Sequence, residues 1–404
     1  MASQPEDKKS RALSALTMAA LGLPAFQGQA AARDENTRLG LRFSQYAEHQ
    51  IDADKTSNVV RDRYDISVLQ ASIGTPLLKR LRLNVNGQYE VLSGASPWYV
   101  EPEDPAAGAD SRPIQVMSGA TIDEARVDVS AELRHYGDAV EVAGQLGLSK
   151  ENDYESISAG IEARYDLPNK HTALNAGLGY SDDRIDPTDG GSARFPTRPT
   201  EREKSSVNAV IGVSQIINAK TVFRSALSYS MHDGFLSDPY KLAWVAGSLR
   251  QDSRPAERGL WSWSNQLRIR VASLDASLHL DYRYFNDDWD VESHTAEIAW
   301  FQGLGDGWSI APSLRYYSQS QAFFYRPFFT STRADELYSS DYRLSPYGAI
   351  NLGLSATKRY GPHALVFSID SYNSSGSYAI NQVEVENPGL VDYTRLSIGM
   401  DFGL

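Results

Sequence analysis

Charged side chains recur at every second position in several stretches of this sequence. Between residues 124 and 134, acidic and basic residues alternate with Ala125, Val127 and Leu133. This pattern is typical of a β-strand with one polar and one apolar face. If the apolar faces meet lipid, the charged residues line a polar interior. The candidates for this lining are Arg126, Asp128, Glu132, Glu162, Arg164, Arg268, Arg270, Asp281, Arg283, Glu297 and Arg315.

An interior lined by both signs of charge has two interpretations. In the first, it is a polar channel with a charged constriction. In the second, opposite charges on neighbouring strands, such as Arg268 and Asp281, form a ladder that stiffens the wall around a lumen narrowed by inserted loops. Both remain open, because the sequence does not show where the loops fold.

Two groups of acidic residues have the oxygen ligands that Ca²⁺ prefers. One lies between Asp182 and Asp189, and the other between Asp287 and Asp290. Neither group matches an EF-hand loop, and acidic residues in surface loops are usually only solvated. We therefore predict no metal site and no cofactor.

The sequence contains no recognisable catalytic motif. Its seven histidines have no metal-ligand spacing, and no HExxH, GxSxG or P-loop pattern occurs. His135, His232 or His294 could pair with a nearby serine, but nothing favours one of them. We do not predict an enzyme.

Two loop segments combine turn-forming residues with an aromatic side chain. The first comprises Ser93, Gly94, Ala95, Ser96, Pro97 and Trp98. The second runs from Gly234 to Lys241 and includes Asp238, Pro239 and Tyr240. These segments either brace the rim on the extracellular side, which we favour, or fold into the lumen or contact a partner.

The elements that must position these residues are strands, and the C-terminus shows this most clearly. From Leu396 to Leu404, apolar residues alternate with Ser, Gly and Asp up to the last residue. A terminal strand frays unless it is tied down, whereas the last strand of a transmembrane barrel pairs with the first. The end also resembles the recognition signal of bacterial outer-membrane barrels, which the barrel-assembly machinery binds. The matching residues are Ser397, Gly399, Phe402 and Leu404, with Leu404 standing where many such proteins have Phe.

About sixteen alternating segments can be counted along the chain, and short turns alternate with long loops between them. This order predicts an all-β fold, a transmembrane antiparallel up-and-down barrel with short periplasmic turns and long extracellular loops. The alternative is a soluble β-sandwich, which does not easily explain so many charged residues on the polar faces.

The N-terminus has the order of a secretory signal peptide. Lys8, Lys9 and Arg11 precede a mostly apolar run over 12–26, and three alanines follow at 30–32. We therefore predict a cleaved signal peptide over 1–32 and a single barrel over 33–404. An amphipathic N-terminal helix is the alternative.

Composition agrees with this assignment and excludes one class of partner. A net charge of −12 argues against nucleic acid. The chain has no cysteine, as expected of a protein that crosses an oxidising periplasm unfolded.

Several short segments resemble an uncharacterised family of proteobacterial outer-membrane proteins, known only as a domain of unknown function. They are residues 93–98, the Ser-Gly-Ala at 118–120, residues 236–241 and the pair Asp288-Trp289. The resemblance runs from about Asn36 to the C-terminus. It implies a signal peptide and a β-barrel, and members tend to be encoded beside a small lipoprotein and redox or flavin-transfer proteins. No activity, substrate or catalytic residue follows from it.

These observations support three hypotheses for a protein of the Gram-negative outer membrane. The first is a porin-like channel or conduit for a small polar solute or a partner protein. The second is a non-conducting structural or assembly barrel that holds a lipoprotein or redox partner from the periplasm or cell surface. The third and least favoured is an outer-membrane hydrolase. The expected partners are outer-membrane lipid and the barrel-assembly machinery, and possible ones are a small lipoprotein or a periplasmic redox protein.

Overall fold

The structure is a computed structural model that describes residues 36–118 and 122–404. The predicted signal peptide over 1–32 and two residues of one family segment, Gly119 and Ala120, lie outside the described residues. In the described part, no helix is long and apolar enough to cross a membrane.

Within these ranges, sixteen antiparallel strands form one closed barrel, which confirms the predicted fold class and strand number. The barrel strands are β1 (Arg38–Glu48), β2 (Asp65–Leu78), β3 (Leu81–Gly94), β6 (Ile122–Tyr136), β7 (Val140–Lys150), β8 (Tyr154–Asp166), β9 (Thr172–Ile185), β10 (Arg202–Asn218), β11 (Thr221–Gly234), β14 (Glu257–Val271), β15 (Ala276–Asp287), β16 (Glu292–Gly305), β17 (Trp308–Gln319), β18 (Tyr347–Tyr360), β19 (His363–Ser375) and β20 (Tyr393–Gly403). Each pairs with its neighbours in the chain, and β20 closes the ring by pairing with β1 from Arg38 opposite Gly403 to Glu48 opposite Tyr393.

Loops on one side of the barrel carry additional short elements. They are the hairpin β4 (Pro97–Pro102) with β5 (Pro113–Met117), the hairpin β12 (Leu242–Val245) with β13 (Ser248–Gln251), and four 3-10 turns, of which Pro105–Asp110, Tyr342–Leu344 and Gly376–Tyr378 lie in these loops. The fourth turn, Ala272–Leu274, joins β14 to β15 on the opposite side. We call that opposite side the turn side. It has only short connections, and β1 begins and β20 ends there.

The outer surface of the barrel is an apolar belt. Leu146, Ile211 and Leu352 are 66%, 62% and 59% exposed, although each lies near the middle of its strand. Their chain neighbours point to the interior, because side chains alternate across a strand. An apolar surface of this extent is stable only against an apolar medium.

Charge placed in this belt should destabilise the barrel. We expect Leu146→Arg to lower the stability of the lipid-inserted barrel by about 2–4 kcal/mol, the cost of a guanidinium near the bilayer midplane. Gln145→Arg, at the adjacent inward position, is the matched control and should stay close to wild type, since water or acidic neighbours meet the new charge there. Urea unfolding in lipid vesicles measures both. Equal losses in the two variants would contradict an outward lipid-facing belt.

Several tight turns on the turn side contain residues with positive φ. Between β16 and β17, Asp306 and Gly307 both have positive φ, of 48° and 76°. A Cβ added at Gly307 would lie 2.6 Å from the carbonyl oxygen of Arg359, so this turn needs glycine. Turns of this kind hold the strands in register on the turn side.

Two of the eight connections on the loop side are short, contrary to the predicted alternation of long loops with short turns. Residues 151–153 join β7 to β8, and residues 288–291 join β15 to β16. The other six fold together over the barrel mouth. We call them the cap, which comprises residues 49–64, 95–118, 186–201, 235–256, 320–346 and 376–392.

Candidate functional site: a capped interior with two oppositely charged walls

The cap has an apolar core of its own. Phe324, Tyr325 and Leu344 of the β17–β18 loop pack with Trp289 and Val291 of the short β15–β16 connection, and all five are at least nine-tenths buried. The rings of Trp289 and Phe324 meet edge to face with centroids 5.1 Å apart. A second cluster joins Ala243 and Val245 to Phe329 and Tyr338. Such burial gives the cap the packing of a small folded domain.

A buried ion network lies beside this core. Asp341, whose side chain is fully buried, accepts hydrogen bonds from Arg254 at 2.9 Å and from Arg343 at 2.8 Å. Arg343 also bonds Asp238 at 2.9 Å, and the ammonium of Lys241 lies 3.7 Å from Asp341. Burial by itself would raise the pKa of Asp341, but Arg343, Lys241 and Arg254 outweigh it and hold this pKa well below its ordinary value. Asp341 is therefore ionised at neutral pH and joins two cap loops.

Cap loops from opposite sides of the barrel meet over its mouth. The ring of Tyr342, in the β17–β18 loop, has the guanidinium of Arg63 5.8 Å from its centroid and the ammonium of Lys241 5.7 Å from it. Arg63 lies in the loop between β1 and β2, and Lys241 lies in the loop that follows β11. Strands β1 and β11 are eight strands apart in the ring of sixteen. Loops from opposite walls therefore meet at one aromatic ring.

The first predicted loop segment lies at the root of the cap. Ser93 and Gly94 end β3, and Gly94 has a φ of 122° where a Cβ would lie 2.1 Å from the carbonyl oxygen of Arg63. Ala95 and Ser96 are buried, Pro97 begins β4, and the ring of Trp98 packs on Tyr99 with centroids 5.3 Å apart.

The second predicted loop segment contacts other loops across the mouth. Asp238 accepts a hydrogen bond from Arg343, and the carbonyl oxygen of Pro239 accepts one from the side-chain amide of Gln251. Lys241 donates to the carbonyl oxygen of Pro97 at 3.0 Å. The hydroxyl of Tyr240 donates to Asp153 in the β7–β8 connection. This segment thus links the cap both to itself and to the barrel wall.

All eleven predicted lining residues lie on the inward face, at register positions opposite other inward residues. Most of them are ion-paired, and the predicted contact of Arg268 with Asp281 is present at 2.8 Å. The other pairs are Arg126 with Asp128 at 2.8 Å, Arg134 with Glu132 at 2.9 Å and with Glu162 at 3.2 Å, Arg164 with Asp166 at 2.9 Å, and Arg315 with Glu297 at 3.1 Å. Among the described residues, Arg270 and Arg283 have no carboxylate within 4.0 Å.

The two signs of charge are segregated around the ring, which the alternation along single strands does not show. The inward face of β6–β9, the acidic wall, has seven acids and three bases: Glu124, Asp128, Glu132, Glu141, Glu162, Asp166 and Asp183 against Arg126, Arg134 and Arg164. The inward face of β10, β11 and β14–β17, the basic wall, has eight bases and three acids: Arg202, Lys204, Arg224, Arg258, Arg268, Arg270, Arg283 and Arg315 against Asp281, Asp287 and Glu297. The two walls adjoin where β9 pairs with β10, and their opposite charges create an electric field across the interior.

A cavity of about 480 Å³ lies inside the barrel against β1–β3, β6–β9, β19 and β20. Its lining includes Gly40 and Asp401 near the turn-side ends of β1 and β20, and Ser156 and Ser181 near the loop-side ends of β8 and β9. The lining side chains are mostly small and polar, which leaves room for water or for a segment of a partner.

Acidic residues of both predicted groups form hydrogen bonds or ion pairs within the protein. Asp182 and Asp183 lie in β9, not in a loop, and Asp183 is fully buried between Lys204 at 3.0 Å and Ser156 at 2.6 Å. Asp287 accepts from Arg258 and from the backbone of Trp289, and Asp288 accepts from the backbone of Gly259 at 2.8 Å. The strand β9 extends further than the sequence predicts, because polar residues at its end face the interior.

The structure brings one of the candidate histidines to a serine. Nδ1 of His232 and Oγ of Ser206 are 2.7 Å apart on the inward face. His294 instead meets the hydroxyl of Tyr282 at 2.8 Å on the outer surface. Among the described hydrogen bonds of His232, none reaches a carboxylate, so the orienting member of a catalytic triad is not shown.

Sequence reasoning missed one group of acids. Glu124, Glu151 and Asp153 are buried together where the acidic wall meets the cap. Burial, opposed by Arg126 and reinforced by Glu124 and Asp153, raises the pKa of Glu151 to about 8. The sequence signal was weak, because Glu124 is far along the chain from the other two and belongs to an ordinary alternating strand.

The residues of the predicted assembly signal lie at the closing seam. Oγ of Ser397 is 2.8 Å from Oγ of Ser44 on β1, and the backbone nitrogen of Leu404 donates to the carbonyl oxygen of Thr37 at 2.8 Å. Gly399 faces inward beside Arg42, and the ring of Phe402 packs against His363 with centroids 5.8 Å apart. The residues of the predicted assembly signal therefore lie in or beside the pairing that closes the ring.

Comparison with solved structures shows a shared barrel fold. A bacterial polysaccharide outer membrane secretin is similar with a TM-score of 0.50 and 10% identity, over 92% of this chain and 99% of the other. CdiB from Acinetobacter baumannii is similar with a TM-score of 0.51 and 8% identity, over 91% of this chain and 60% of its own. No curated protein matches the sequence. A family described as "Protein of unknown function (DUF3570)" matches residues 13–389.

Proposed function

We propose that this chain, which belongs to the DUF3570 family of proteins of unknown function, is an outer-membrane barrel closed by its own cap. In this proposal the barrel does not conduct, and its interior receives a partner from the turn side, which faces the periplasm. The partner is a small lipoprotein or a periplasmic redox protein, in keeping with the family resemblance. The apolar belt and the shared fold of outer-membrane barrels support the location.

The observation that carries this proposal is the meeting of Arg63, Tyr342 and Lys241 across the mouth. A permanently open pore requires these loops to separate. Separation would expose the aromatic core around Phe324 and Tyr325 and would break the buried network around Asp341. Both steps are costly, because they hydrate buried apolar area and separate buried charges from their partners.

The interior supports a bound partner in two ways. The cavity lining includes Gly40 and Asp401 near the turn-side ends of β1 and β20, and in this proposal a segment enters from that side, away from the cap. The acidic and basic walls can orient a segment that carries opposite charges on its two sides.

A second candidate function is a gated conduit for a small charged solute. The two oppositely charged walls favour it, since charged side chains across a lumen orient ions and select among them. This function requires a signal that displaces the cap.

Two measurements on the purified protein test the proposal. In planar lipid bilayers, the wild-type barrel should show no conductance steps, and after mild detergent extraction from its native membrane it should retain a bound periplasmic protein. Regular open steps in the wild type would contradict closure and would favour the conduit. Purification of the barrel alone, at native abundance, would contradict the partner.

The comparisons with known proteins also concern the third hypothesis, an outer-membrane hydrolase. The similar solved structures named above are a secretin and CdiB, and the family has no assigned activity. Neither comparison supports a hydrolase.

A further inference from the structure

Three acidic side chains from two parts of the chain meet at the loop-side edge of the acidic wall. Glu124 lies on the inward face of β6, and Glu151 and Asp153 lie in the three-residue connection between β7 and β8. One carboxylate oxygen of each lies within 4.8 Å of the corresponding oxygens of the other two. The three residues are only 5%, 6% and 4% exposed.

This spacing suits a hard divalent cation. Ca²⁺ binds oxygen ligands at about 2.3–2.6 Å, so two oxygens on the same ion lie at most about 5 Å apart. Three carboxylates within that limit can all reach one ion, and carbonyl oxygens or water can complete the six to eight ligands that Ca²⁺ takes.

The positive charge nearby is shared among several acids. Nε of Arg126 lies 2.8 Å from Asp128 and 3.5 Å from Glu151, and the same arginine stands opposite Glu90 in the register of β3 with β6. Oε2 of Glu151 is buried and has no hydrogen-bond partner among the described residues, and the Glu151 side chain is only 3% exposed. An ionised oxygen in such a position is strongly unfavourable unless a cation binds it or a proton neutralises it.

We propose that Glu124, Glu151 and Asp153 form a binding site for a divalent cation of the Ca²⁺ type. The ion supplies the charge that Arg126 does not, and it bridges the barrel wall to the β7–β8 connection.

The site also reaches the cap. Asp153 accepts a hydrogen bond from the hydroxyl of Tyr240, and that hydroxyl accepts one from the backbone nitrogen of Thr188 at 3.0 Å. Thr188 and Tyr240 belong to two different cap loops. A bound ion therefore holds Asp153 in the position that fastens both loops to the wall.

Calcium binding by the full barrel in detergent tests the site directly. Equilibrium dialysis with radioactive Ca²⁺ should give one ion per chain at a concentration of about 1 mM or below, the range of extracellular calcium modules. Tb³⁺ should occupy the same site, emit when tyrosine is excited because Tyr240 adjoins it, and be displaced by Ca²⁺.

Conservative variants separate a metal site from a structural cluster. Glu151→Gln and Asp153→Asn should each weaken Ca²⁺ binding at least tenfold, whereas Glu155→Gln, an exposed acid of the same hairpin paired with Lys150, should bind like wild type. In chelator, Glu151→Gln should melt no lower than wild type, since glutamine is the neutral isostere of a carboxyl whose charged form burial disfavours. In Ca²⁺, only wild type and Glu155→Gln should gain thermal stability.

Three results would overturn the site. In the first, wild type shows no saturable Ca²⁺ binding at millimolar concentration. In the second, folded Glu151→Gln and Asp153→Asn bind Ca²⁺ as tightly as wild type. In the third, Glu151→Gln lowers the melting temperature equally with and without Ca²⁺. Circular dichroism of the barrel strands shows which variants are folded. None of these results depends on whether the barrel conducts.

Discussion

Deletion of residues 322–344 in the β17–β18 loop, with a short Gly-Ser linker in their place, is expected to turn a silent barrel into a conducting one. This segment supplies Phe324 and Leu344 of the apolar core, Asp341 of the ion network and Tyr342, which joins loops from opposite walls. Its loss leaves the barrel strands and their turns intact. Planar-bilayer recording should show long-lived open steps, with ion selectivity set by the charged walls.

The matched control replaces a cap segment that has no buried residue. The 3-10 turn Pro105–Asp110 lies in the β3–β6 loop and buries none of its side chains. A Gly-Ser replacement there should leave the barrel silent. A silent barrel after deletion of 322–344, despite correct insertion into the bilayer, would show that something other than this loop closes the interior.

Asp341→Ala is expected to unfasten the cap without disturbing the barrel. The change leaves Arg254, Arg343 and Lys241 buried without the carboxylate that they share. Breaking a buried pair by removal of one partner costs about 3–5 kcal/mol, because the remaining charges stay uncompensated. Hydrogen exchange should accelerate across the cap, and trypsin should cut the β17–β18 loop, while the exchange of barrel strands stays slow.

Asp335→Ala is the control within the same loop. Asp335 pairs with Arg333 at the surface, where solvent screens the interaction, so its loss should change cap exchange very little. If both variants exchange alike, the buried network does not hold the cap.

The effect of Asp341 also has a predicted pH dependence. The native pKa of Asp341 lies well below the ordinary value of 3.8, so the folded cap favours the ionised form. Its contribution to stability is fully present above the unfolded pKa and is lost only as pH falls through the lower native pKa. The difference between wild type and Asp341→Ala in cap exchange should therefore be the same at pH 5 and pH 7, and it should shrink only in strong acid. A difference that already shrinks between pH 7 and pH 5 would contradict this origin.

The barrel could be predicted from the sequence because its cause is local. Side chains alternate with a period of two along a strand, so runs such as Leu396–Leu404 reveal both faces without knowledge of any neighbour. The same alternation placed all eleven predicted lining residues on one face, and closure follows since each strand pairs with the next and the last with the first.

The cap, the segregation of charge and the cation site depend on contacts that no local pattern encodes. The side-chain amide of Asn387 donates to the hydroxyl of Tyr325 at 2.9 Å across 62 residues, and Phe329 pairs with Val245 across 84 residues. Loops have no periodicity to show such partners. The acidic wall arises because the ring places the inward faces of β6–β9 side by side, and Glu124 meets Glu151 and Asp153 because β6 pairs antiparallel with β7, with Val127 opposite Lys150. Alternation along the chain therefore determined the barrel and its two faces, whereas the folding of the loops and the curvature of the ring decided which charged and apolar groups meet inside it.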